Sequence, residues 1–183
     1  MSLNQSSLLS SIAFFLLQSP SSTMADESRL PKGPVVSRPA VYEDSFLSER
    51  YDDPARVPEE VWRAVLTPEE YYVCRLGGTE PQYCGILTKF FGEGTYTCRC
   101  CGVELFGSEN KYWAGVGMPT FHSSLGEDRN IIRTLDTRFG LNRVEAKCKQ
   151  CNAHLGHIFE DDLPESGERY CINSTAIGFV KEN

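Results

Sequence analysis

The chain has 183 residues, enough for one domain with a proper core or for one domain plus a tail. Its hydrophobic and charged fractions, 40% and 23%, are those of an ordinary globular protein. A net charge of -7 with scattered Lys and Arg argues against nucleic-acid binding, which needs a basic patch to grip phosphates.

The first feature in the chain is an apolar stretch, Leu8 to Leu17, interrupted by Ser10 and Ser11. It is too short to span a bilayer. It has the look of a signal-peptide core, with the small residues Ser21, Ser22 and Thr23 downstream, yet no Lys or Arg precedes Arg29. The same lack of Arg weakens a mitochondrial reading. Met24 opens a plain polar segment, MADESRL, and offers a second translation start. Two readings follow: a cytoplasmic protein, or organellar or secretory targeting by residues 1–23. Ser21 to Pro58 is rich in Ser, Pro and charged residues and has no apolar period, so residues 1–56 are expected to be a flexible tail.

From Val57 the pattern changes. Pro58-Glu59-Glu60 followed by Val61, Trp62, Ala64, Val65 and Leu66 predicts a short helix with Pro in its first turn. Thr67-Pro68-Glu69-Glu70 predicts a second helix start, with Thr67 as N-cap and Glu70 completing a capping box. After Cys74, glycines punctuate short β-rich runs: Thr95 to Thr97, Val144 to Ala146, Leu155 to Phe159, Tyr170 to Ile172 and Ala176 to Val180. These predict a mainly antiparallel β domain over about 75–183. With the two helices, the folded domain is placed at 57–183.

Eight cysteines are the unusual count. A disulfide framework suits a small secreted chain, whereas four of these cysteines stand in paired CxxC spacing, which suits a metal. Cys98, Cys101, Cys148 and Cys151 are the expected ligands of one structural zinc. Four thiolates close a tetrahedral site, and each CxxC turn supplies two of them. Gly102 and Asn152 follow the pairs, and both tolerate the left-handed backbone of a metal knuckle. Cys100 makes the register ambiguous, although pairs using it have poorer geometry. Buried free cysteines and redox CxxC motifs remain the alternatives, the latter without the βαβ context it normally has.

Cys171 lies outside this quartet, in Arg169-Tyr170-Cys171-Ile172-Asn173. A strand would put Arg169, Cys171 and Asn173 on one face, where the cation would lower the thiol pKa. A packed apolar cysteine is the plainer alternative. Two of the three histidines, His154 and His157, directly follow Cys151 and could move a proton near neutral pH. The residues therefore point to a thiol nucleophile with a histidine acid or base, stabilised by zinc.

The segments LTPEEYYVCRLGGTEPQYCG (66–85), YTCRCCGVELFGSENKYWAGVGMPTF (96–121), NRVEAKCKQCNAHLGHIFEDDLPESGERYCINS (142–174) and AIGF (176–179) resemble the MsrB family of methionine sulfoxide reductases. The resemblance implies a Mss4-like β fold, two small antiparallel sheets stapled by one zinc, with short N-terminal helices. It implies reduction of the R epimer of methionine sulfoxide, free or in oxidised proteins, with Cys171 as nucleophile and His154, His157, Asn173 and Arg169 lining the site. Cys171 would pass through a sulfenic acid to a disulfide recycled by thioredoxin or a similar dithiol. A monomer is expected.

Three departures stand out. The family tryptophan of GWPSF is replaced by Met118 in Gly117-Met118-Pro119-Thr120-Phe121, so the substrate pocket is expected to involve Met118, Trp113 and Phe121. No cysteine stands at 115–117, where many members carry the resolving thiol. Cys84 is the first candidate to replace it, followed by Cys74 and Cys100; direct attack by a reductant is the alternative. The acidic turn at Glu160 to Pro164 lacks the usual Gly. The competing function is a zinc-stapled β-fold binding module with weak or lost reductase activity.

Overall fold

The computed structural model describes residues 40–43, 45–162 and 166–182. The apolar stretch Leu8–Leu17, the targeting segment at 1–23 and the tail up to residue 39 lie outside them. The tail expected over 1–56 needs correction at its C-terminal end, because residues 40–56 join the folded unit. Backbone N–H groups of Val41 and Tyr42 donate to the carbonyls of Arg99 and Cys100. Helix α1 (Leu47–Arg50) buries Leu47 completely. Single apolar anchors such as Val41 and Leu47 leave no period in the sequence, so the pattern did not reveal them.

Helices α2 (Glu59–Val65) and α3 (Pro68–Cys74) form where the capping signals predicted. Thr67 Oγ1 accepts from Glu70 N at 3.2 Å, and Glu70 Oε2 accepts from Thr67 N at 2.9 Å. Trp62 on α2 is fully buried under the Arg75 guanidinium, 5.4 Å above its ring.

Nine strands follow among the described residues: β1 (Gly94–Cys98), β2 (Glu104–Gly107), β3 (Lys111–Tyr112), β4 (Thr120–Phe121), β5 (Ile131–Asp136), β6 (Arg143–Cys148), β7 (His154–Glu160), β8 (Glu168–Ile172) and β9 (Ile177–Lys181). They build two antiparallel sheets, β2-β1-β9 and β3-β4-β8-β7-β6-β5. The predicted runs fall in β1, β6, β7, β8 and β9. The mainly β class and the two-sheet architecture of the Mss4-like fold are therefore met.

An aromatic layer joins the sheets. Phe106 on β2 stacks on Phe121 of β4 with centroids 4.2 Å apart, and Tyr96 on β1 meets the same ring edge-on at 5.0 Å. Phe121 is fully buried in this layer. Its neighbour Thr120 is the register partner of Cys171, so the pleat turns Phe121 to the opposite face. The expectation that Phe121 lines the substrate pocket is thus corrected: it is a core residue. No helix among the described residues is long and apolar enough to cross a membrane.

Candidate active site and cysteine centre

Cys98 ends β1 and Cys148 ends β6, one from each sheet, and each strand runs into a tight turn carrying a second cysteine. The two turns are built alike. Gly102 N donates to Cys98 O and Asn152 N donates to Cys148 O, both at 2.9 Å. Gly102 (φ 81°) and Asn152 (φ 60°) adopt the left-handed backbone this turn requires.

The four sulfurs of Cys98, Cys101, Cys148 and Cys151 lie within 4.8 Å of one another and are buried. Two of the sulfur pairs, Cys98–Cys151 and Cys101–Cys148, are 3.6 and 3.5 Å apart. A tetrahedral ion with thiolate bonds of about 2.3 Å separates its sulfurs by roughly 3.8 Å, so the donor set fits a metal. Cys100 is also buried, but the quartet closes without it, as the spacing argument anticipated.

Cys171 sits on β8 between Thr120 of β4 and His157 of β7, its register partners. It is only partly exposed. Gly156 lets the two strands meet, because a Cβ there would lie 2.0 Å from the Cys171 carbonyl oxygen. Burial pushes the Cys171 thiol up to about 11; the Arg169 charge pulls it down, and the Glu80 charge adds to the rise. Arg169 acts in the expected direction, but burial outweighs it. The Arg169 guanidinium is also held by Asp161, with Nη1 2.7 Å from Oδ2.

His154 and His157 are three residues apart on one strand, which ordinarily puts side chains on opposite faces. The β6–β7 register shifts between Ala146 and Lys147, and this irregularity brings the two rings together, 5.3 Å apart and edge-to-face. Each ring is anchored by a carboxylate. His157 Nε2 lies 2.8 Å from Asp136 Oδ2, and His154 Nδ1 lies 2.5 Å from Glu145 Oε1. Hydrogen bonds from Arg138 first, and from His157, hold Asp136 well below the usual carboxylate range against its burial. Burial pushes both histidines down, more strongly than their carboxylates raise them. Both rings are therefore neutral near pH 7. Asp136 is ionised and can only accept, so the His157 proton sits on Nε2 and Nδ1 keeps its lone pair. His154 Nε2 is buried without a hydrogen-bond partner.

Strand β8 ends at Ile172, so Asn173 lies just beyond the expected strand face. It is buried, and its amide joins two segments: Oδ1 accepts from Glu80 N at 3.0 Å, and Nδ2 donates to Leu155 O at 2.9 Å. Glu80 in turn accepts from Ser174 N at 2.6 Å, Thr175 N at 2.8 Å and Thr175 Oγ1 at 2.7 Å. This buried carboxylate clamps the loop before β1 onto the turn after Cys171. The same loop continues through Tyr83, whose N–H donates to Gly117 O at 2.7 Å and whose hydroxyl donates to Gly115 O at 2.5 Å.

Met118 Sδ rests 3.6 Å from Cys171 Sγ. Trp113 is partly exposed and packs near Tyr83, with centroids 6.4 Å apart. Cys84 is exposed on the clamped loop, whereas Cys74 and Cys100 are buried.

Sequence reasoning missed Asp136, Glu145 and Glu80. Ile131–Asp136, which carries Asp136, was not among the predicted runs, and nothing local marks which carboxylates meet the histidines.

Comparison with known proteins adds an independent finding. The SelR domain family model matches residues 66–181. A Caenorhabditis elegans protein named probable methionine-R-sulfoxide reductase B is 47% identical over 132 residues, covering 72% of this chain and 87% of that protein. Peptide methionine sulfoxide reductase MsrB of Pseudomonas putida is 48% identical over 120 residues, covering 66% and 90%. The human protein named methionine-R-sulfoxide reductase B2, mitochondrial, is 48% identical over 124 residues, covering 64% of this chain and 68% of that protein. The family match spans both cysteine turns, the paired histidines and Cys171, and the chain belongs to the SelR domain family.

Proposed function

We propose that the protein is a methionine-R-sulfoxide reductase, acting on the R epimer of methionine sulfoxide, free or in oxidised proteins, with Cys171 as nucleophile. The observation that carries this reading is the pairing of Cys171 with His157 across β7 and β8, with His157 anchored on Asp136. Family membership and the names of the relatives support it.

The resting Cys171 is a thiol at neutral pH. His157 Nδ1 takes its proton as Sγ attacks the sulfoxide sulfur, and the proton then passes to the departing oxygen. As the oxygen passes to Sγ, an Sγ–O bond forms and two bonds break, the transient Sγ–S bond and the sulfur–oxygen bond of the substrate. Its sulfur gains two electrons and leaves as methionine, while Cys171 loses two and becomes a sulfenic acid. Cys84 then condenses with it, releasing water and forming a disulfide. An external dithiol such as thioredoxin reopens that disulfide by exchange. Its exposure and its clamped loop favour Cys84 over the buried Cys74 and Cys100. The four-cysteine centre holds zinc, which when bound cross-links the two sheets and, with a closed thiolate set, takes no part in the reaction. The protein acts as a monomer.

The raised thiol and the Met118 thioether lying against it favour a second reading, a zinc-stapled β-fold binding module with weak or lost reductase activity. One assay decides: the protein is incubated with each epimer of a methionine sulfoxide peptide and dithiothreitol. Turnover of the R form alone, abolished by Cys171→Ser, is expected. Absent R turnover, or turnover that persists in Cys171→Ser, overturns the reductase.

A further inference from the structure

Three methionines occur in the chain, and Met118 alone falls among the described residues. Its thioether touches the nucleophile: Sδ is 3.6 Å from Cys171 Sγ. The contact is built in by the backbone. Gly117 O accepts from Tyr83 N at 2.7 Å, and Pro119 O accepts from Ile172 N at 2.9 Å, so residues 117–119 are tethered on both sides of Met118. Pro119 also confines the Met118 backbone to extended conformations. The residue is 9% exposed, so its side chain has little room to swing away.

From this contact, and resting on the reductase reading above, we infer that Met118 is an internal substrate: its sulfoxide, formed by peroxide, is reduced by Cys171 of the same molecule. Peroxide donates one oxygen to Sδ and leaves as water. Cys171 Sγ then attacks the oxidised Sδ, which already lies in attacking range. The oxygen passes to Sγ: an Sγ–O bond forms, the transient Sγ–Sδ bond and the Sδ–O bond break, Met118 regains two electrons and returns to the thioether, and Cys171, its proton now on that oxygen, becomes a sulfenic acid. A dithiol reduces that sulfenic acid to the thiol and releases water. Proximity makes this step unimolecular. A site that works beside peroxide thus restores its own wall without a second enzyme molecule.

The test uses the full chain. It is treated with hydrogen peroxide, desalted and incubated with dithiothreitol at two protein concentrations. Sulfoxide at Met118 is then quantified by peptide mass spectrometry. A methionine-R-sulfoxide peptide is assayed on the same sample. Since each reductase acts on one epimer, Met118 sulfoxide is expected to fall by about half, at a rate independent of protein concentration. The added peptide should be reduced at a rate that rises with protein concentration, and Cys171→Ser should retain the Met118 sulfoxide. If the added peptide is reduced while Met118 sulfoxide persists, or decays only in proportion to protein concentration, self-repair is overturned and the reductase stands. If neither is reduced, both fall together.

Discussion

His157 on β7 and Asp136 on β5 are 2.8 Å apart although β6 lies between their strands. The carboxylate reaches across a whole strand, and Arg138 and Arg143 steady it, each with a nitrogen 2.8 Å from an Asp136 oxygen. Its one service to the proposed chemistry is to keep the His157 proton on Nε2. Asp136→Asn replaces an obligate acceptor with an amide that can also donate. The expected result is a fall in kcat/KM of about 100-fold with methionine-R-sulfoxide peptide. Imidazole nitrogen shifts by NMR should report the changed tautomer, which a merely destabilised fold would not produce.

Burial pushes the Cys171 thiol up to about 11, above an ordinary thiol. Iodoacetamide labelling of this cysteine should be slow at pH 7 and rise about tenfold per pH unit until the midpoint is reached. Arg169→Met removes the opposing charge and should move the midpoint higher still. The linkage has a definite sign. A folded-state value above the unfolded one stabilises the fold fully below about pH 8.5, and that contribution is lost as the pH rises through 11. Cys171→Ala should lack this alkaline loss in thermal unfolding.

Cys84→Ser separates the two halves of the proposed cycle. The first turnover, seen as one methionine released per chain without reductant, should be unchanged. Thioredoxin-driven steady-state turnover should drop by about tenfold or more, while dithiothreitol, which can attack a sulfenic acid directly, sustains the rate. Unchanged thioredoxin rates would remove Cys84 from the cycle.

A metal held at the four-cysteine centre would join β1 to β6, so its loss should unfold the domain rather than slow it. Cys148→Ser, or wild type stripped by a strong chelator, is expected to lose near-ultraviolet circular dichroism and cooperative unfolding. Elemental analysis should find one zinc per chain in wild type.

Lys111 is buried on β3, with its ammonium donating to the carbonyls of Leu87, Thr88 and Phe90 at 2.8, 3.2 and 2.6 Å. Lys111→Met keeps the stem and strands those acceptors. A loss of about 3 kcal/mol is expected from the urea midpoint at unchanged m-value.

What the sequence determined by itself were features that depend on near neighbours. The CxxC turns, the Thr67 capping box and the β-rich runs of β7 and β8 are local, so spacing and composition alone identified the cysteine quartet, the α3 start and the strand bearing Cys171. Resemblance to a known family then pointed to the chemistry. Tertiary structure decided everything that depends on what faces what. Pleat direction sent Phe121 into the aromatic layer and left Thr120 beside Cys171. A register shift opposite Gly156 brought His154 and His157 onto one face, where an unbroken strand would have parted them. Burial raised the Cys171 thiol by more than the Arg169 charge lowers it. Asp136, Glu145 and Glu80 meet their partners across strands and loops far away in the chain, and a carboxylate carries no local mark of the group it will hold.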